Sequence, residues 1–348
     1  MSGLVSIIIP CRNEERFIGK CLDSIIANDY PEDKLEVLVV DGMSEDGTRV
    51  VIEKYAQQST NIKLLNNLGK IVPTAMNLGI KKAKGDIIIR VDAHNIYPKD
   101  YISKTVYWLE KTNADNVGGI WVTLPATDTL KAKAIALSLS SPFGVGNSMF
   151  RIGVKEPTYV DTVPFGAYRK EVFDKVGLFN EELVRNQDIE FNLRLKKAGG
   201  EILLVADIIS YYQARSNLKD LFKQNFLNGF WVIYSMKFAK LPFSIRHLIP
   251  FAFVFSLLSS FIFSFLYKPS IYPFAFIIST YMITNISFSL WISLKKDLKY
   301  LPFLIISFLT LHFSYGFGSI WGVIKLGVNK VKVLAKKFAN IFKCICED

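Results

Sequence analysis

The stretch Val5-Ser-Ile-Ile-Ile-Pro-Cys-Arg-Asn-Glu14 contains the pattern that decides the fold: a short β-branched apolar run stops abruptly at polar residues. Runs of this length and composition are typical of buried strands. The same pattern recurs at residues 35–41, 61–65, 86–92 and 116–122. The sequence therefore predicts five buried strands in the first part of the chain.

Segments with apolar residues at helical spacing lie between these strands. They cover residues 15–27, 48–57, 72–84 and 100–111. This alternation favours an α/β fold, with a mostly parallel sheet covered by helices. Ligands of such open sheets bind outside the carboxyl ends of the strands. Here those ends carry Cys11 to Glu14, Asp41-Gly42 and Asp92-Ala93-His94.

The second half of the chain is much more apolar than the first. Half of the 348 residues are hydrophobic and the mean hydropathy is positive, which is too apolar for a soluble protein of this length. Most of the excess follows Leu248. Residues 248–267, 270–294 and 300–326 are each long enough to cross a bilayer core, which needs about 20 apolar residues. We expect a soluble part followed by a membrane part.

The net charge of +11 comes from lysines beside the apolar segments and in the tail. Because they form no single basic stripe, nucleic acid is not an expected partner, and an anionic membrane leaflet is. The positive-inside rule places the basic regions around the first and second apolar segments in the cytoplasm with the soluble part. These basic residues are Lys237, Lys240, Arg246, Lys295, Lys296 and Lys299. Four scattered cysteines predict a reduced environment.

Three crossings would place the lysine-rich tail on the opposite side of the membrane. Because the third segment contains Pro302, Gly316, Gly318 and Gly322, we expect it to be broken or re-entrant, which returns the tail to the cytoplasm. Residues 218–240 are aromatic and basic but too interrupted to span, and they predict interfacial helices. The predicted organisation is a catalytic domain at 1–215, interfacial helices at 216–247, two to three spans at 248–326 and a basic tail at 327–348, in a multi-pass cell-membrane protein.

The end of the fourth predicted strand is the most informative candidate site. An apolar run such as residues 87–91 has no packing reason to finish with a carboxylate and an imidazole two residues apart, and Asp92 and His94 would point the same way. One carboxylate with a neighbouring ligand suits Mg²⁺ or Mn²⁺ whose other positions are filled by water and a diphosphate. The alternative is a strand-terminal turn with an exposed histidine.

Two other strand ends each allow an ordinary structural interpretation. Residues 10–14 end a strand and open a helix, so their free backbone N–H groups and Arg12 could meet a phosphate-bearing or hydroxyl-rich ligand. Asn13 could instead cap that helix. After the second strand, Ser44 or Asp46 could cap the following helix.

A third polar segment, residues 185–190, opens an amphipathic helix that stops at Gly199-Gly200. Asp188 would lie in the first turn of this helix. A carboxylate at that position is also what an ordinary helix favours, because it interacts well with the helix dipole.

Taken in order over residues 8–229, these segments resemble family 2 glycosyltransferases with the GT-A fold. The motifs that carry the resemblance are Ile8-Ile-Pro-Cys-Arg-Asn-Glu14, Val39-Val-Asp-Gly-Met-Ser-Glu-Asp-Gly-Thr48, Ala75-Met-Asn-Leu-Gly79 with Ala83-Lys-Gly-Asp86, Arg90-Val-Asp-Ala-His94, Val163-Pro-Phe-Gly-Ala-Tyr-Arg169 and Asn186-Gln-Asp188. The forms at 90–94 and 163–169, with residues 212–229, are most similar to the exopolysaccharide branch typified by succinoglycan glucosyltransferases.

The resemblance implies a role for each matching residue. Asp188 corresponds to the catalytic base, and Asp92 to the metal-binding carboxylate of the family's Asp-X-Asp motif, whose second carboxylate is replaced here by His94. The residues implied for binding a UDP- or GDP-sugar donor are Pro10, Arg12, Asn13, Glu14, Asp41, Lys70, Arg90, Asp92, Arg215, Lys223 and Gln224. Those implied for the acceptor or sugar loop are Phe165, Gly166, Arg169 and Gln187.

These roles imply an inverting transfer, in which a base takes the proton of the acceptor hydroxyl and positive charge stabilises the leaving diphosphate. The Gln-X-X-Arg-Trp signature of processive synthases is absent, because the run here is Gln224-Asn-Phe-Leu-Asn228. We therefore expect addition of a single sugar to a polyprenyl-linked acceptor in polysaccharide or glycan assembly.

Three other functions share parts of this pattern. A polyprenyl-phosphate monoglycosyltransferase differs only in using the bare lipid phosphate as acceptor. An inactive transferase-like scaffold or transport subunit is disfavoured by the joint presence of Asp41, Asp92 and Asp188. A nicotinamide dehydrogenase is disfavoured because no Gly-X-Gly-X-X-Gly follows the first strand.

Overall fold

The computed structural model describes residues 3–237 and 245–346, with side chains described to residue 328 in the last helix. The chain divides into two compact units. The first consists of Met1–Ala126 and Leu139–Ala214, and the second of Thr127–Ser138 and Arg215–Asp348.

The described residues of the first unit form an eight-stranded mixed sheet. Its strands are β1 (Val5–Cys11), β2 (Leu35–Asp41), β3 (Ile62–Asn66), β4 (Ile87–Arg90), β5 (Asn116–Leu124), β6 (Thr158–Tyr159), β7 (Ala167–Arg169) and β8 (Ile202–Gln213). Their order is β3-β2-β1-β4-β7-β5-β8-β6. Strands β1 to β4 are parallel, as are β5 and β8, while β7 runs antiparallel between β4 and β5. The carboxyl ends of β1, β2, β4, β5 and β8 therefore share one edge with the start of β7.

The described residues of the two units also form α-helices. They are α1 (Ile18–Ile26), α2 (Thr48–Gln58), α3 (Val72–Lys82), α4 (Tyr101–Lys111), α5 (Leu130–Leu139), α6 (Pro142–Val145), α7 (Met149–Ile152), α8 (Glu171–Val176), α9 (Gln187–Lys197), α10 (Leu218–Tyr234), α11 (Ile249–Ser264), α12 (Ile271–Lys295) and α13 (Leu301–Cys346). Of these, α5 and α10 to α13 belong to the second unit.

The predicted α/β alternation is confirmed, with β2 at its predicted bounds and the other predicted elements shifted by up to three residues at an end. All seven residues of β1 and all seven of β2 are buried. Ile7 and Ile9 join a core with α1 and α4, whereas Ile8 joins a core with α3 on the opposite face. Because both faces are covered, these strands read as continuous apolar runs.

The sequence analysis does not predict β6, β7 or β8. Strand β8 is the longest of the sheet, and its apolar run at residues 202–205 is a usable signal. Strand β7 has three residues and β6 has two, which is too short for a periodic pattern. Such short strands depend on partners from elsewhere in the chain.

Helices α10 to α13 make up most of the second unit, in which α10 packs along α13. Among the described residues, two helical segments are long and apolar enough to cross a membrane, Lys268–Lys295 and Leu298–Val328. The first predicted span contains α11, which has only 16 residues. Residues 238–244, part of the predicted interfacial region, lie outside the described residues. The number of crossings stays a prediction.

The expected break in the third apolar segment is not found, because α13 is one continuous helix. Pro302 lies in its first turn, where a missing N–H costs no hydrogen bond. A Cβ added at Gly318 would lie 1.9 Å from the Phe226 carbonyl oxygen of α10, and one at Gly316 would lie 2.6 Å from the Pro250 carbonyl oxygen of α11. These glycines therefore let helix backbones approach closely instead of breaking the helix.

Candidate active site

A pocket opens in the first unit at the edge where β1, β3 and β4 end. Its walls come from the loops after these strands and from the start of α3. The lining residues are Pro10, Cys11, Arg12, Glu14, Asn67, Lys70, Ile71, Val72, Ala75, Arg90, Asp92, Ala93 and His94. The structure thus brings together Pro10, Arg12, Glu14, Lys70, Arg90, Asp92 and His94 of the expected site. The sequence analysis missed the apolar wall at the start of α3, because its spacing is that of an ordinary helix.

Arg90 is the central charged group of this pocket. Its Nε and Nη2 donate to Asp92 Oδ1 at 3.2 and 3.0 Å. Burial opposes the charge of Arg90, but the charges of Asp92 and Asp188 outweigh burial and raise its pKa. The guanidinium is therefore paired with Asp92 and lies within the electrostatic influence of Asp188. Positioned this way, Arg90 orients Asp92 in addition to lining the pocket.

Asp92 is fixed from its backbone as well as from its side chain. Its N–H donates to Tyr97 Oη at 3.0 Å. Tyr97 is buried, and burial, with the nearby Tyr101 and Asp92, raises its pKa well above the ordinary value, so the phenol stays neutral. Both Arg90 hydrogen bonds go to Oδ1, which leaves Oδ2 of Asp92 as the oxygen suited to a further ligand.

The donor set near Asp92 fits a hard divalent cation as a partial site. Asp92 and His94 both line the pocket, with side chains 21% and 49% exposed, and His94 Nδ1 lies 3.4 Å from Glu14 Oε1. No cluster of three or more His, Cys, Asp or Glu side chains that could hold a metal occurs within the described residues. A carboxylate and an imidazole are compatible with Mg²⁺ or Mn²⁺ when water and a diphosphate supply the remaining ligands.

Lys70 enters the pocket from a strained loop after β3. Its backbone has a φ of 59°, in the left-handed region. Asn67 holds the loop, since its Oδ1 accepts from Gly69 N at 3.1 Å and its Nδ2 donates to Ile71 O at 3.0 Å. Asn67 is a positioning residue that the sequence analysis missed.

Left-handed backbone recurs around this edge of the sheet. The non-glycine residues with positive φ in the described part of the chain are Asn13, Met43, Lys70, Phe165 and Asn186. They lie in the loops after β1, β2 and β3, before β7 and before α9. Each such residue costs about 1–3 kcal/mol, and strain of this kind is concentrated at functional sites in proteins generally.

The loops after β1 and β2 are joined by hydrogen bonds. Asn13 N donates to Ser44 Oγ at 2.8 Å, Glu14 N donates to Thr48 Oγ1 at 2.8 Å, and Glu45 N donates to Asn13 Oδ1 at 2.9 Å. The N–H groups of Asn13 and Glu14 are therefore not free for a phosphate, because the hydroxyls of Ser44 and Thr48 accept from them. Asn13 also does not cap α1, which begins at Ile18 with no side-chain cap.

The cap position of α2 is Gly47 and carries no side-chain cap hydrogen bond, so neither Ser44 nor Asp46 occupies it. Thr48 N donates to Asp46 Oδ1 at 3.1 Å at the start of α2. The hydrogen bond from the Thr48 side chain is the largest cause that lowers the pKa of Asp46. Asp46 therefore serves the local structure of this loop.

Asp41 is fully buried, and its carboxylate is engaged within the protein. Arg49 Nη1 donates to Oδ2 at 2.8 Å and Ser44 N donates to the same oxygen at 3.1 Å. Asp41 is not among the residues that line the pocket. The structure therefore gives it a role in holding the loop, with Arg49 as a partner that the sequence analysis missed. Direct contact with a nucleoside stays a prediction.

Asp188 lies in the first turn of α9, as expected. Its Oδ1 accepts from Ile189 N at 2.9 Å. Glu190, the neighbouring carboxylate, is 4% exposed and accepts from Arg194 Nε at 2.6 Å and Nη2 at 2.9 Å. Gln187 is buried, and its Oε1 has no hydrogen-bond partner among the described residues. Asp188 is therefore the less encumbered carboxylate of this turn.

The expected acceptor-loop residues before and in β7 are engaged in packing. Arg169 Nη2 donates to the carbonyl oxygens of Leu109 and, at 3.1 Å, Thr112, which closes the end of α4. Phe165 is buried, and a Cβ at Gly166 would lie 2.2 Å from Asn116 Oδ1. These packing contacts account for Phe165, Gly166 and Arg169 without requiring that they contact an acceptor.

Arg215, Lys223 and Gln224 belong to the second unit. Arg215 Nε donates to Gln224 Oε1 at 3.3 Å, so two of the three residues lie together. Their expected role over a diphosphate stays a prediction.

The sequence model of glycosyl transferase family 2 matches residues 6–177. A dolichyl N-acetyl-alpha-D-glucosaminyl phosphate 3-beta-D-2,3-diacetamido-2,3-dideoxy-beta-D-glucuronosyltransferase of Methanococcus voltae is 33% identical over 265 residues, which cover 74% of this chain and 81% of the relative. The succinoglycan biosynthesis protein ExoA of Rhizobium meliloti is 32% identical over 225 residues, covering 64% of this chain and 67% of that protein.

Solved structures show the same fold. Mannosyltransferase PcManGT from Pyrobaculum calidifontis, in complex with GDP-Man and Mn²⁺, has a TM-score of 0.60 at 18% identity, covering 92% of this chain and 88% of that one. Residues 1–349 of Staphylococcus aureus TarS give a TM-score of 0.51 at 20% identity, covering 90% of this chain and 91% of that one. The expected GT-A fold is thereby confirmed.

Proposed function

The chain belongs to glycosyl transferase family 2, and from this premise we propose that it transfers one sugar from a nucleotide-sugar donor to a lipid-linked acceptor, with inversion at the anomeric carbon. The observation that carries the proposal is the arrangement of Arg90 with Asp92 and Asp188. An inverting transfer needs a carboxylate base and a site for the leaving diphosphate. Asp92 lines the pocket, and Asp188 is near enough to Arg90 for its charge to raise the Arg90 pKa.

The pocket is suited to a UDP- or GDP-sugar. Lys70 and Arg12 supply positive charge for a diphosphate, and Ile71 and Val72 supply an apolar wall for a base or ribose. Charge-assisted hydrogen bonds from such groups bind phosphate oxygens strongly. The donor screen described below determines which nucleotide and which sugar the enzyme uses.

Asp92 and His94 would hold Mg²⁺ or Mn²⁺, with Oδ2 of Asp92 as the primary ligand. When bound, the cation neutralises the charge that develops on the departing diphosphate. The protein's own part is to orient Asp92 through Arg90 and Tyr97, so that its carboxylate is fixed before the donor binds.

Asp188 is the proposed base. It would accept the proton of the acceptor hydroxyl as the hydroxyl attacks the anomeric carbon. The alternative carboxylate, Glu190, is buried in its ion pair with Arg194 and would lose two hydrogen bonds by accepting a proton. This difference supports Asp188.

A lipid-linked acceptor is supported by the relatives and by the apolar second unit. The Methanococcus voltae relative is named for a dolichyl-phosphate-linked sugar acceptor. This chain contains two helical segments that are long and apolar enough to span a membrane, among its described residues. We propose a membrane-associated enzyme whose catalytic unit faces the cytoplasm, where basic residues flank the apolar segments.

A donor and acceptor screen on the purified full chain in detergent tests the proposal. UDP- and GDP-sugars are supplied with either polyprenyl phosphate or a polyprenyl-linked sugar phosphate, and nucleoside diphosphate release and product anomer are measured. We expect Asp188-dependent transfer to the sugar-bearing lipid. Transfer only to bare polyprenyl phosphate would instead identify a monoglycosyltransferase, and retention of the anomer would contradict an inverting mechanism.

If the wild type and the Asp188→Asn variant both transfer sugar, the family assignment stands but Asp188 is not the catalytic base. No nucleotide release with any pair, in a folded protein that still binds donor, would contradict the proposed transfer and favour a scaffold.

A further inference from the structure

Arg151, in the short helix α7, lies against aromatic rings in the first unit. Its Cζ is 4.5 Å from the centre of the Trp121 ring, 4.9 Å from that of Tyr212 and 5.5 Å from that of Phe150. Burial lowers the pKa of Arg151, although Tyr212, which shares a side-chain hydrogen bond with Arg151, acts in the opposite direction. No carboxylate within the described ranges forms an ion pair with this guanidinium. Arg151 Nη1 is buried and has no hydrogen-bond partner there either.

Two other hydrogen-bond donors are also unsatisfied, one on Trp121 beside Arg151 and one on Thr123, two residues further along β5. Trp121 Nε1 and Thr123 Oγ1 are buried without a partner among the described residues. Residues two apart in a strand project from the same face, so Thr123 follows Trp121 on one face of β5. Buried donors are normally paired, because leaving them unpaired is destabilising. A concentration of three unpaired donors, one of them charged, is therefore suited to a bound oxyanion.

The position of these donors in the sheet relates them to the active site. Trp121 and Thr123 are near the carboxyl end of β5, which shares its edge with the carboxyl end of β4 and hence with Asp92. Strand β7 separates β5 from β4, so two strand spacings place the donors about 10 Å along the edge from Asp92. Phe165 lies between them, with ring centroids 5.3 Å from Trp121 and 6.1 Å from Tyr97.

We propose that Arg151, Trp121 and Thr123 bind the phosphate group of the lipid-linked acceptor. This inference rests on the proposed function and adds a binding site for its acceptor. A separation of about 10 Å is sufficient for a sugar to extend from this phosphate towards the reacting centre near Asp92. The tetrahedral phosphate can accept from donors that converge from different directions, and a guanidinium is well matched to its oxygens. The surrounding rings of Phe150 and Tyr212 are suited to the apolar stem of the lipid.

Entry of the phosphate requires a shift of α7, because the three donors are closed off from solvent. Gly146 and Gly153 flank α7 with φ of 62° and 86°, and a Cβ at Gly153 would meet no atom within 4 Å. Glycine adopts such backbone angles without strain and allows them to change. The two glycines thus provide points at which α7 can move as a unit.

Calorimetric titration of the full chain in detergent tests this site without relying on catalysis. Citronellyl phosphate, its uncharged alcohol citronellol and inorganic phosphate are titrated into the protein while saturating nucleoside diphosphate occupies the donor pocket. Arg151→Met is compared with the wild type and with Lys104→Gln, which removes a partly exposed positive charge on α4 in the same unit. We expect citronellyl phosphate to bind the wild type and the control equally, and the Arg151→Met variant about tenfold or more weakly.

Thermal unfolding separates a binding role from a packing role. Since Arg151 is a buried charge without an ion pair, its replacement by methionine should leave the unfolding temperature unchanged or raise it. A lower unfolding temperature with parallel loss of nucleotide and lipid binding would assign Arg151 to packing and overturn the site. The site is also overturned if Arg151→Met binds citronellyl phosphate within twofold of the wild type, or if citronellol binds as well as its phosphate.

The sources of the phosphate are distinguished by the same titrations. Arg151-dependent binding of inorganic phosphate as tight as that of citronellyl phosphate would assign the site to free phosphate and overturn the acceptor assignment. If the wild type transfers no sugar in the screen described above but binds citronellyl phosphate through Arg151, the proposed function fails while the anion site remains. If the wild type transfers sugar and Arg151→Met leaves the KM for the acceptor unchanged, the phosphate site at Arg151 is wrong and the proposed function stands.

Discussion

The Arg90 side chain donates both of its described hydrogen bonds to the same carboxylate oxygen of Asp92, from Nε at 3.2 Å and from Nη2 at 3.0 Å. The two residues are separated by one position at the end of β4, so a single strand end supplies the pair. This geometry orients the carboxylate and leaves its other oxygen for a ligand. Each of the following predictions tests one part of the site or of the surrounding structure.

Asp92→Ala should weaken donor binding that depends on a divalent metal, because Asp92 supplies the hard oxygen ligand of the pocket. We expect His94→Ala to have a milder effect, since water can replace an imidazole on Mg²⁺. Donor affinity is measured with and without Mg²⁺ or Mn²⁺. If metal still increases the donor affinity of Asp92→Ala as it does that of the wild type, Asp92 is not a metal ligand. Equal losses of donor affinity in Asp92→Ala and His94→Ala would make His94 a primary ligand.

Asp188→Asn should lower the turnover number by about 10²–10⁴ while donor affinity changes only a few-fold, because asparagine keeps the shape but cannot accept the proton. Steady-state kinetics and donor titration measure the two effects. Glu190→Gln is the matched control: it breaks the ion pair with Arg194 and should reduce thermal stability more than turnover. Near-wild-type turnover of folded Asp188→Asn would show that its role is structural.

Asp41→Ala should lower the free energy of unfolding by about 3 kcal/mol, because it leaves Arg49 without its partner and opens a buried polar site. Denaturant unfolding measures this loss, and Arg49→Ala should change stability in the same direction. If Asp41→Ala keeps its stability and loses only donor affinity, then Asp41 contacts the donor directly, as the family resemblance implies.

Cys11 and Cys21 should resist alkylation in the folded protein at pH 8. Burial, followed by neighbouring carboxylates, raises the pKa of both thiols, so the reactive thiolate is scarce in the native state and becomes available on unfolding. Mass spectrometry of iodoacetamide-treated protein, native and denatured, measures the modified fraction. We expect native labelling at least about tenfold slower than labelling of the denatured chain. Rapid native labelling of Cys11 would show that the pocket wall opens.

A reporter fused after Asp348 should be cytoplasmic, because six lysines follow or end the last apolar segment. Accessibility of the reporter in intact and permeabilised cells measures its side, with a fusion at the other terminus as the reference. The same side for both fusions requires an even number of crossings. Opposite sides would support three full crossings and contradict this prediction.

The pattern of strands, helices and polar strand ends could be predicted because it is local. Apolar runs such as Leu35–Asp41 and the helical spacing that follows them depend only on neighbouring residues. The same local signals placed Asp92 at a strand end and Asp188 in a first helical turn. The family resemblance then assigned these residues their roles, and the family is confirmed by the matching sequence model.

Only the tertiary structure decided which polar groups are free. Asn13 and Asp41 look like ligand-binding residues in the sequence, yet their partners Ser44 and Arg49 come from a loop and a helix that the fold brings against them. Gly318 favours a helix break in the sequence, whereas in the structure it allows α10 to approach α13 closely. Arg151 has no sequence signal, because the rings that surround it and the missing partner of its Nη1 depend on residues distant in the chain. The sequence determines local conformation, because that depends on neighbouring residues. Burial and hydrogen-bond pairing are set by residues distant in the chain. Burial and pairing in turn decide whether a polar side chain supports the fold or remains available for a ligand.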